Sequence, residues 1–378
     1  MRCRQSSKVA VLVLATVAPL IASSTGGADP TRDVLVGDLT PVHDPDIAVE
    51  DGVQYVYSTG PGLPIRRSFD GTTWERVGQV FDGDGLPDWA EDEVPGAIDP
   101  WAPDIEWFGG QWHLYYAISR FLETDSAIGH ATSPTLDVDD PAYGWTDHGP
   151  VVTSENVPAG VEPEWNAIDP NAAVDGDRVW LAWGSFGGGI KLREVNPATG
   201  TPLLSAPATT LARREIWFTG VEAAHLVEHD GTWYLFTSWY LCCRGVDSNY
   251  EIRVGRASRI EGPYVDRDGV PLTTGGGTLV LAGYDNVRGT GHSSMLIDGD
   301  DWTLVHHYYD ADAGGTPTLG MHQLSWTADG WPEVPGMPAW APAITSTTTS
   351  LTTSVLPEST TTTPAPAPAS TATPRFTG

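Results

Sequence analysis

Four acids and a histidine, Asp44, Asp104, Asp169, Glu222 and His292, each open a strand-like segment, and the segments recur at intervals of roughly 60 residues. Two carboxylates in one cleft can divide acid from base chemistry, one giving a proton while the other removes one. A third beside them raises the acid's pKa by like-charge repulsion and can orient it. Asp44, Asp169 and Glu222 supply that number. Taken singly, each acid has a plainer explanation, because Asp ahead of a strand or in an Asp-Pro pair caps a turn. Five in register weaken it, since clustered carboxylates repel and a fold tolerates them chiefly where a reaction or a cation uses them.

The segments that must position these residues are DPDIAVEDGVQYVYS, DIEWFGGQWHLYYAIS, DPNAAVDGDRVWLAWGS, EAAHLVEHDGTWYLFTS and HSSMLIDGDDWTLVHHYYD. Each holds a Gly-containing turn between two apolar or alternating runs, the pattern of a β-hairpin. Five such units predict an all-β fold, a five-bladed β-propeller, whose innermost strands would bring the five leading residues round one axis. Asp46 follows Asp44 by two and shares its side of an extended strand. It is expected either to alter the pKa of Asp44 or to reach solvent.

Both ends of the 378-residue chain fall outside that pattern. A basic MRCRQSSK, an apolar VAVLVLATVAPLIA and a small, polar SSTGGA read as a secretory signal peptide over residues 1–28, the apolar run being too short to span a bilayer. Residues 344–378, rich in Thr, Ser, Pro and Ala, read as a disordered, O-glycosylated stalk. The propeller is assigned to residues 29–343, a length natural for five blades. A formal charge of −29, from 49 acids against 20 Lys and Arg, disfavours nucleic acid and anionic membranes as partners and suits a neutral ligand. Without Cys3 only the adjacent Cys242 and Cys243 remain, which excludes a disulfide framework. A buried reduced pair and a vicinal disulfide are both open, with the disulfide preferred.

Two carboxylates across a sugar-sized cleft are the equipment of glycoside hydrolysis. Aromatic faces stack on sugar rings, and Trp101, Phe121 and Phe186 lie near blade starts or just beyond an inner strand, where loops open on the channel mouth. The other tryptophans are expected to pack the blades.

The stretches VHDPDI (42–47), WAPDI (101–105), NAIDPN (166–171), GSFGGGIKL (184–192), VEA (221–223), CCRGVDSNYEIRVGR (242–256) and GTGHSSM (289–295) resemble glycoside hydrolase family 43, and within it the endo-1,5-α-L-arabinanases. The resemblance implies inverting hydrolysis of arabinan by a secreted monomer. Asp44 would be the general base, Glu222 the general acid and Asp169 the modulator of the acid's pKa, with base and acid roughly 6.5–9.5 Å apart to admit a water. Substrate contacts would come from Trp101, Phe121, Asn166, Ala167, Ile168, Ser185 and Phe186. His292 would be the axial ligand of a calcium ion in the channel, although its residue type alone suggests a packed or catalytic side chain. Such motifs usually carry a small residue where this chain has Asp46. The segment FDGDGLPDWAEDE (81–93) has the alternating oxygen ligands of a calcium loop in Asp82, Asp84 and Asp88, against which the resemblance implies a plain surface loop. Two other readings stay open. One is an exo-acting arabinofuranosidase or β-xylosidase on the same fold, disfavoured because no β-sandwich follows the propeller to wall off a groove. The other is a non-catalytic carbohydrate-binding propeller, which would have no need of three converging carboxylates.

Overall fold

Inner hairpins of the expected kind form in all five blades, each closed by a two-residue loop in which Glu50 pairs with Val53, Phe108 with Gln111, Asp175 with Arg178, His229 with Thr232 and Asp298 with Asp301. The loop residues explain why. Asp51–Gly52, Gly109–Gly110 and Asp230–Gly231 all have positive φ, as a type I′ turn requires, and that turn's twist matches the twist of the strands it joins. The computed structural model describes residues 34–155, 164–205, 207–214 and 220–337, so the expected signal peptide and Thr-rich tail lie outside the described residues.

The strands assemble into five separate antiparallel sheets in chain order. Their innermost strands are Asp46–Glu50, Pro100–Phe108, Asn171–Asp175, Val221–His229 and Val287–Asp298. Each inner strand abuts the next, and the last returns to the first, closing a five-bladed propeller around a central channel. Closure is aided by the segment before the first blade: the Val42 N–H bonds to the Pro317 carbonyl, and the Leu319 N–H to the Leu39 carbonyl. A short strand at Val36–Gly37 adds in parallel to the outer edge of the first blade, Thr73–Gln79.

Apolar side chains alternate along the strands to fill the wedges between blades. Tyr57 and Ile65 of the first blade meet Leu114 and Tyr116 of the second. Tyr115 and Ile128 meet Leu181 and Trp183 of the third, whose Ile190 and Leu192 meet Leu226 and Leu235 of the fourth. Phe236 and Val254 meet Leu304 and Leu324 of the fifth, and Val305 and Leu319 close the circle on Ile47 and Val56. Each such side chain, fully buried, contributes about 1.5–3 kcal/mol relative to exposure. Most tryptophans do pack blades, as expected: Trp74 and Trp183 are fully buried.

The acidic segment at 81–93 is a surface loop with one short helix, Ala90–Glu93, anchored by Ala90 and Val94 in the core between the first two blades. Asp82, Asp84 and Asp88 do not converge into a three-ligand cluster among the described residues. Cys242 and Cys243 are joined by a disulfide.

Candidate active site

At the head of every inner strand one residue takes a left-handed backbone conformation: Asp44 (φ 47°), Ala102 (44°), Asp169 (54°), Ala223 (53°) and His292 (53°). For residues other than Gly that conformation costs on the order of 1–3 kcal/mol and persists only where its surroundings impose it. The repetition shows how each chain turns into its inner strand. It also corrects the expected register. Asp44, Asp169 and His292 are equivalent, but Glu222 stands one residue before the turn and Asp104 two after it. The same shift in the ladder occurs at this turn in the second, fourth and fifth blades, so the offset lies in which position around the turn carries the polar side chain: Ala102 and Ala223 occupy the turn itself.

Two residues beyond the turn lies a second ring: Asp46, Asp104, Asn171, His225 and Ser294. Asp46 Oδ2 accepts the Ile105 N–H at 2.7 Å, Asp104 Oδ2 the Ala172 N–H at 2.7 Å, and Asn171 Oδ1 the Leu226 N–H at 2.8 Å. Ser294 accepts the Ile47 N–H at 3.2 Å and donates to Asp46 Oδ1 at 2.6 Å, while Asn171 donates to Asp104 Oδ1 at 2.7 Å. Each of these side chains therefore ties its own blade to the next. Asp46 neither reaches solvent nor touches Asp44; it is buried, which pushes its carboxyl up to about 6 against the donors that favour the ionised form. Asp46, Asp104 and His225 have metal-ligand spacing, yet both oxygens of both acids are already occupied by N–H and O–H donors.

Above that ring the three expected acids converge with His292. Asp44 is held by four neighbours: His43 Nδ1 at 2.8 Å and the Thr59 hydroxyl at 2.7 Å on one oxygen, His292 Nδ1 at 3.2 Å on the other, and His307 Nδ1, which accepts the Asp44 N–H at 3.1 Å. Burial opposes its ionisation, but His43 and His292 prevail and hold it well below the usual carboxylate range. Glu222 is buried, with Ser185 donating to one oxygen at 2.6 Å and the Tyr250 hydroxyl to the other at 2.7 Å. Burial raises its pKa in spite of those two donors, and the charge of Asp44 adds to the rise. Asp169 accepts the N–H of Ala223 at 3.0 Å and so fixes the backbone just after Glu222. Burial pushes Asp169 up to about 8, opposed by His292 and assisted by the charges of Glu222 and Asp44. His292 goes up to about 9: burial works against its charge, and Asp44 most of all works for it.

The site thus holds one carboxylate poised to stay ionised and two carboxyls pushed toward protonation around His292. Environments that push paired carboxyls apart in pKa separate base from acid.

The remaining expected residues divide. Ser185 touches the acid itself rather than a ligand. Phe186, at φ 54°, lies over Gly220, where a Cβ would sit 2.5 Å from its ring. Trp101 is half-buried one position before the turn of the second blade, and Phe121 stands 63% exposed on the loop after Gln111–Ile118. Asn166, Ala167 and Ile168 are buried; Asn166 accepts from Ser126 at 2.8 Å and Ala167 belongs to the core between the second and third blades. Ala167 and Ile168 directly precede Asp169 in the chain, and both side chains are buried. His43, Thr59, Tyr250, His307 and Tyr309 were missed. His43 and Tyr250 sit inside the VHDP and SNYE stretches, but nothing in their spacing marks them as partners of the acids.

A five-bladed propeller whose axis gathers carboxyls pushed apart in pKa carries the groups that glycoside hydrolysis uses. The model of the glycosyl hydrolases family 43 matches residues 39–332, and the chain belongs to that family. It is 37% identical over 306 residues to the extracellular exo-α-(1→5)-L-arabinofuranosidase of Cellvibrio japonicus, covering 78% of this chain and 86% of that protein. It is 36% identical over 298 residues to the extracellular endo-α-(1→5)-L-arabinanase 1 of Bacillus subtilis, covering 77% and 87%. Among solved structures, a Cellvibrio cellulosa α-L-arabinanase complexed with arabinohexaose superposes with a TM-score of 0.73 at 35% identity, covering 78% of this chain and 96% of that one.

Proposed function

We propose that the protein is a secreted, endo-acting hydrolase of α-1,5-linked L-arabinan that works with inversion. The observation that carries the hydrolytic part of this reading is the gathering of Asp44, Asp169 and Glu222 round His292 on the axis, with Asp44 held ionised and Glu222 pushed toward protonation; the substrate is taken from the arabinan-acting relatives, and inversion is the part put to test. Asp44 takes the proton of the attacking water. Its carboxylate is aimed by His43 and by Thr59, whose own oxygen accepts the Ala102 N–H at 2.8 Å. Glu222 gives its proton to the departing sugar oxygen; Ser185 and Tyr250 are hydroxyls, which accept as readily as they donate, so both contacts survive its protonation. Asp169, itself pushed up in part by the charge of Glu222, is assigned the modulation of the acid and anchors its backbone through Ala223. Trp101, Phe121 and Phe186 would supply stacking faces for the chain of sugars.

The chain offers one imidazole nitrogen at His292, whereas calcium takes 6–8 oxygens. His292 belongs to none of the ligand-spaced triplets among the described residues. The charge fits better than the donor set: a hydrated ion on His292 would be held mainly through water and would supply positive charge to the three carboxylates.

An exo-acting enzyme is the competing reading, and the relative from Cellvibrio japonicus bears that name. Product sizes from linear α-1,5-arabinan over time separate the two. A ladder of oligosaccharides from the earliest points is expected, and a single short product accumulating alone would replace endo with exo action.

A further inference from the structure

We infer that Tyr309 and the backbone amide of Cys243 are positioning groups for the general base, acting through His43. The proposal rests on Asp44 being that base. It is carried by the direction of three consecutive contacts that join four groups. The Cys243 N–H donates to the Tyr309 hydroxyl oxygen at 2.7 Å. The Tyr309 hydroxyl lies 2.7 Å from His43 Nε2, and His43 Nδ1 lies 2.8 Å from Asp44 Oδ2. A phenol keeps its proton at neutral pH. The Cys243 amide takes one lone pair of Tyr309, Ser248 is a further side-chain partner of its hydroxyl, and the O–H is assigned to Nε2 because His43 Nδ1 must carry a proton toward Asp44. A neutral imidazole that accepts on Nε2 carries its proton on Nδ1, the nitrogen that faces the carboxylate. The other tautomer would set two lone pairs against each other at Asp44.

The ring plane is fixed as well. His43 stacks on His307 with centroids 4.0 Å apart and planes 20° apart, and His307 is fully buried. His307 in turn accepts the Asp44 N–H, so both the backbone and the carboxylate of the base are located from one pair of rings. Cys243 reaches Tyr309 because the Cys242–Cys243 disulfide closes a turn in which Cys243 has φ 66°, and its Sγ lies 3.8 Å from His43 Nε2. The disulfide therefore gives the Cys243 amide a fixed address at the edge of the site. No ligand is needed for this arrangement.

The test separates this role from simple structural support. In Tyr309→Phe, kcat on arabinan should fall about tenfold with KM within about twofold, as expected when a base is misaligned and binding is untouched. In His43→Asn, which keeps an N–H donor near the Nδ1 position, Tyr309→Phe should add nothing further. Phosphine reduction of the disulfide should lower kcat of the native enzyme and leave Tyr309→Phe unaffected. Nitrogen NMR of histidine-labelled protein should show His43 protonated on Nδ1 in the native protein and a tautomer mixture in Tyr309→Phe. Wild-type kcat in Tyr309→Phe, or effects that simply add in the His43→Asn background, would overturn the inference. If Tyr309→Phe does not fold, the native spectrum decides alone: a His43 proton on Nε2 overturns it. Asp44→Asn is the control for the underlying reading, because full turnover in that variant removes the base itself, whereas an inactive Asp44→Asn beside an unaffected Tyr309→Phe removes only the relay.

Discussion

Asp169 is the residue whose chemistry is most exposed to pH. Burial raises its pKa to about 8, far above the value an unfolded chain would show, near 4. A carboxyl with a raised folded pKa stabilises the fold fully below its unfolded pKa and loses that contribution as pH rises through the folded value. The native enzyme should therefore lose thermal stability between about pH 4 and 8 in part through this group. Asp169→Asn removes the penalty. Thermal melts are expected to show the variant more stable than wild type at pH 8, by roughly a few degrees, with the gap closing toward pH 4. The repulsion between Asp169 and Glu222 is mutual, so the same variant should move the basic limb of the activity profile to lower pH, because Glu222 then ionises more readily. A basic limb that stays in place would remove Asp169 from the control of the acid.

The two polar rings belong to the inner strands, and they show what could be read from the amino-acid order and what could not. Hairpins were legible because Asp51–Gly52, Gly109–Gly110 and Asp230–Gly231 announce two-residue turns between alternating strands. Asp44, Asp169 and His292 were legible as equivalent positions. Asp104 and Glu222 were misaligned with them, because alanines, Ala102 and Ala223, hold the turn position in the second and fourth blades and carry no polar group to mark it. The second ring was illegible for a related reason: its members are Asp, Asp, Asn, His and Ser, alike only in the backbone N–H they accept or face. Asp104, which had no assigned work, binds the second blade to the third. Asp104→Ala leaves the buried Ala172 N–H and the Asn171 amide without their acceptor, at a cost of about 1–3 kcal/mol. Chemical denaturation should show that loss, and an unchanged midpoint would show that the ring does not tie the blades.

Five apolar wedges and side-chain ties between blades make the propeller a ring with a polar axis. Opposed carboxyls survive there because each is held by a donor from a neighbouring blade: His292 of the fifth reaches Asp44 of the first, Ser185 of the third reaches Glu222 of the fourth, and the Ala223 N–H of the fourth reaches Asp169 of the third. The architecture thus converts blade order into the separation of base from acid. That separation is the central claim, and the stereochemistry of the first product tests it most directly. Proton NMR during hydrolysis of linear α-1,5-arabinan should show the new reducing ends appearing first as the β-anomer and only later equilibrating by mutarotation. The α-anomer appearing first would mean a nucleophile in place of a water-activating base at Asp44, and would contradict the account.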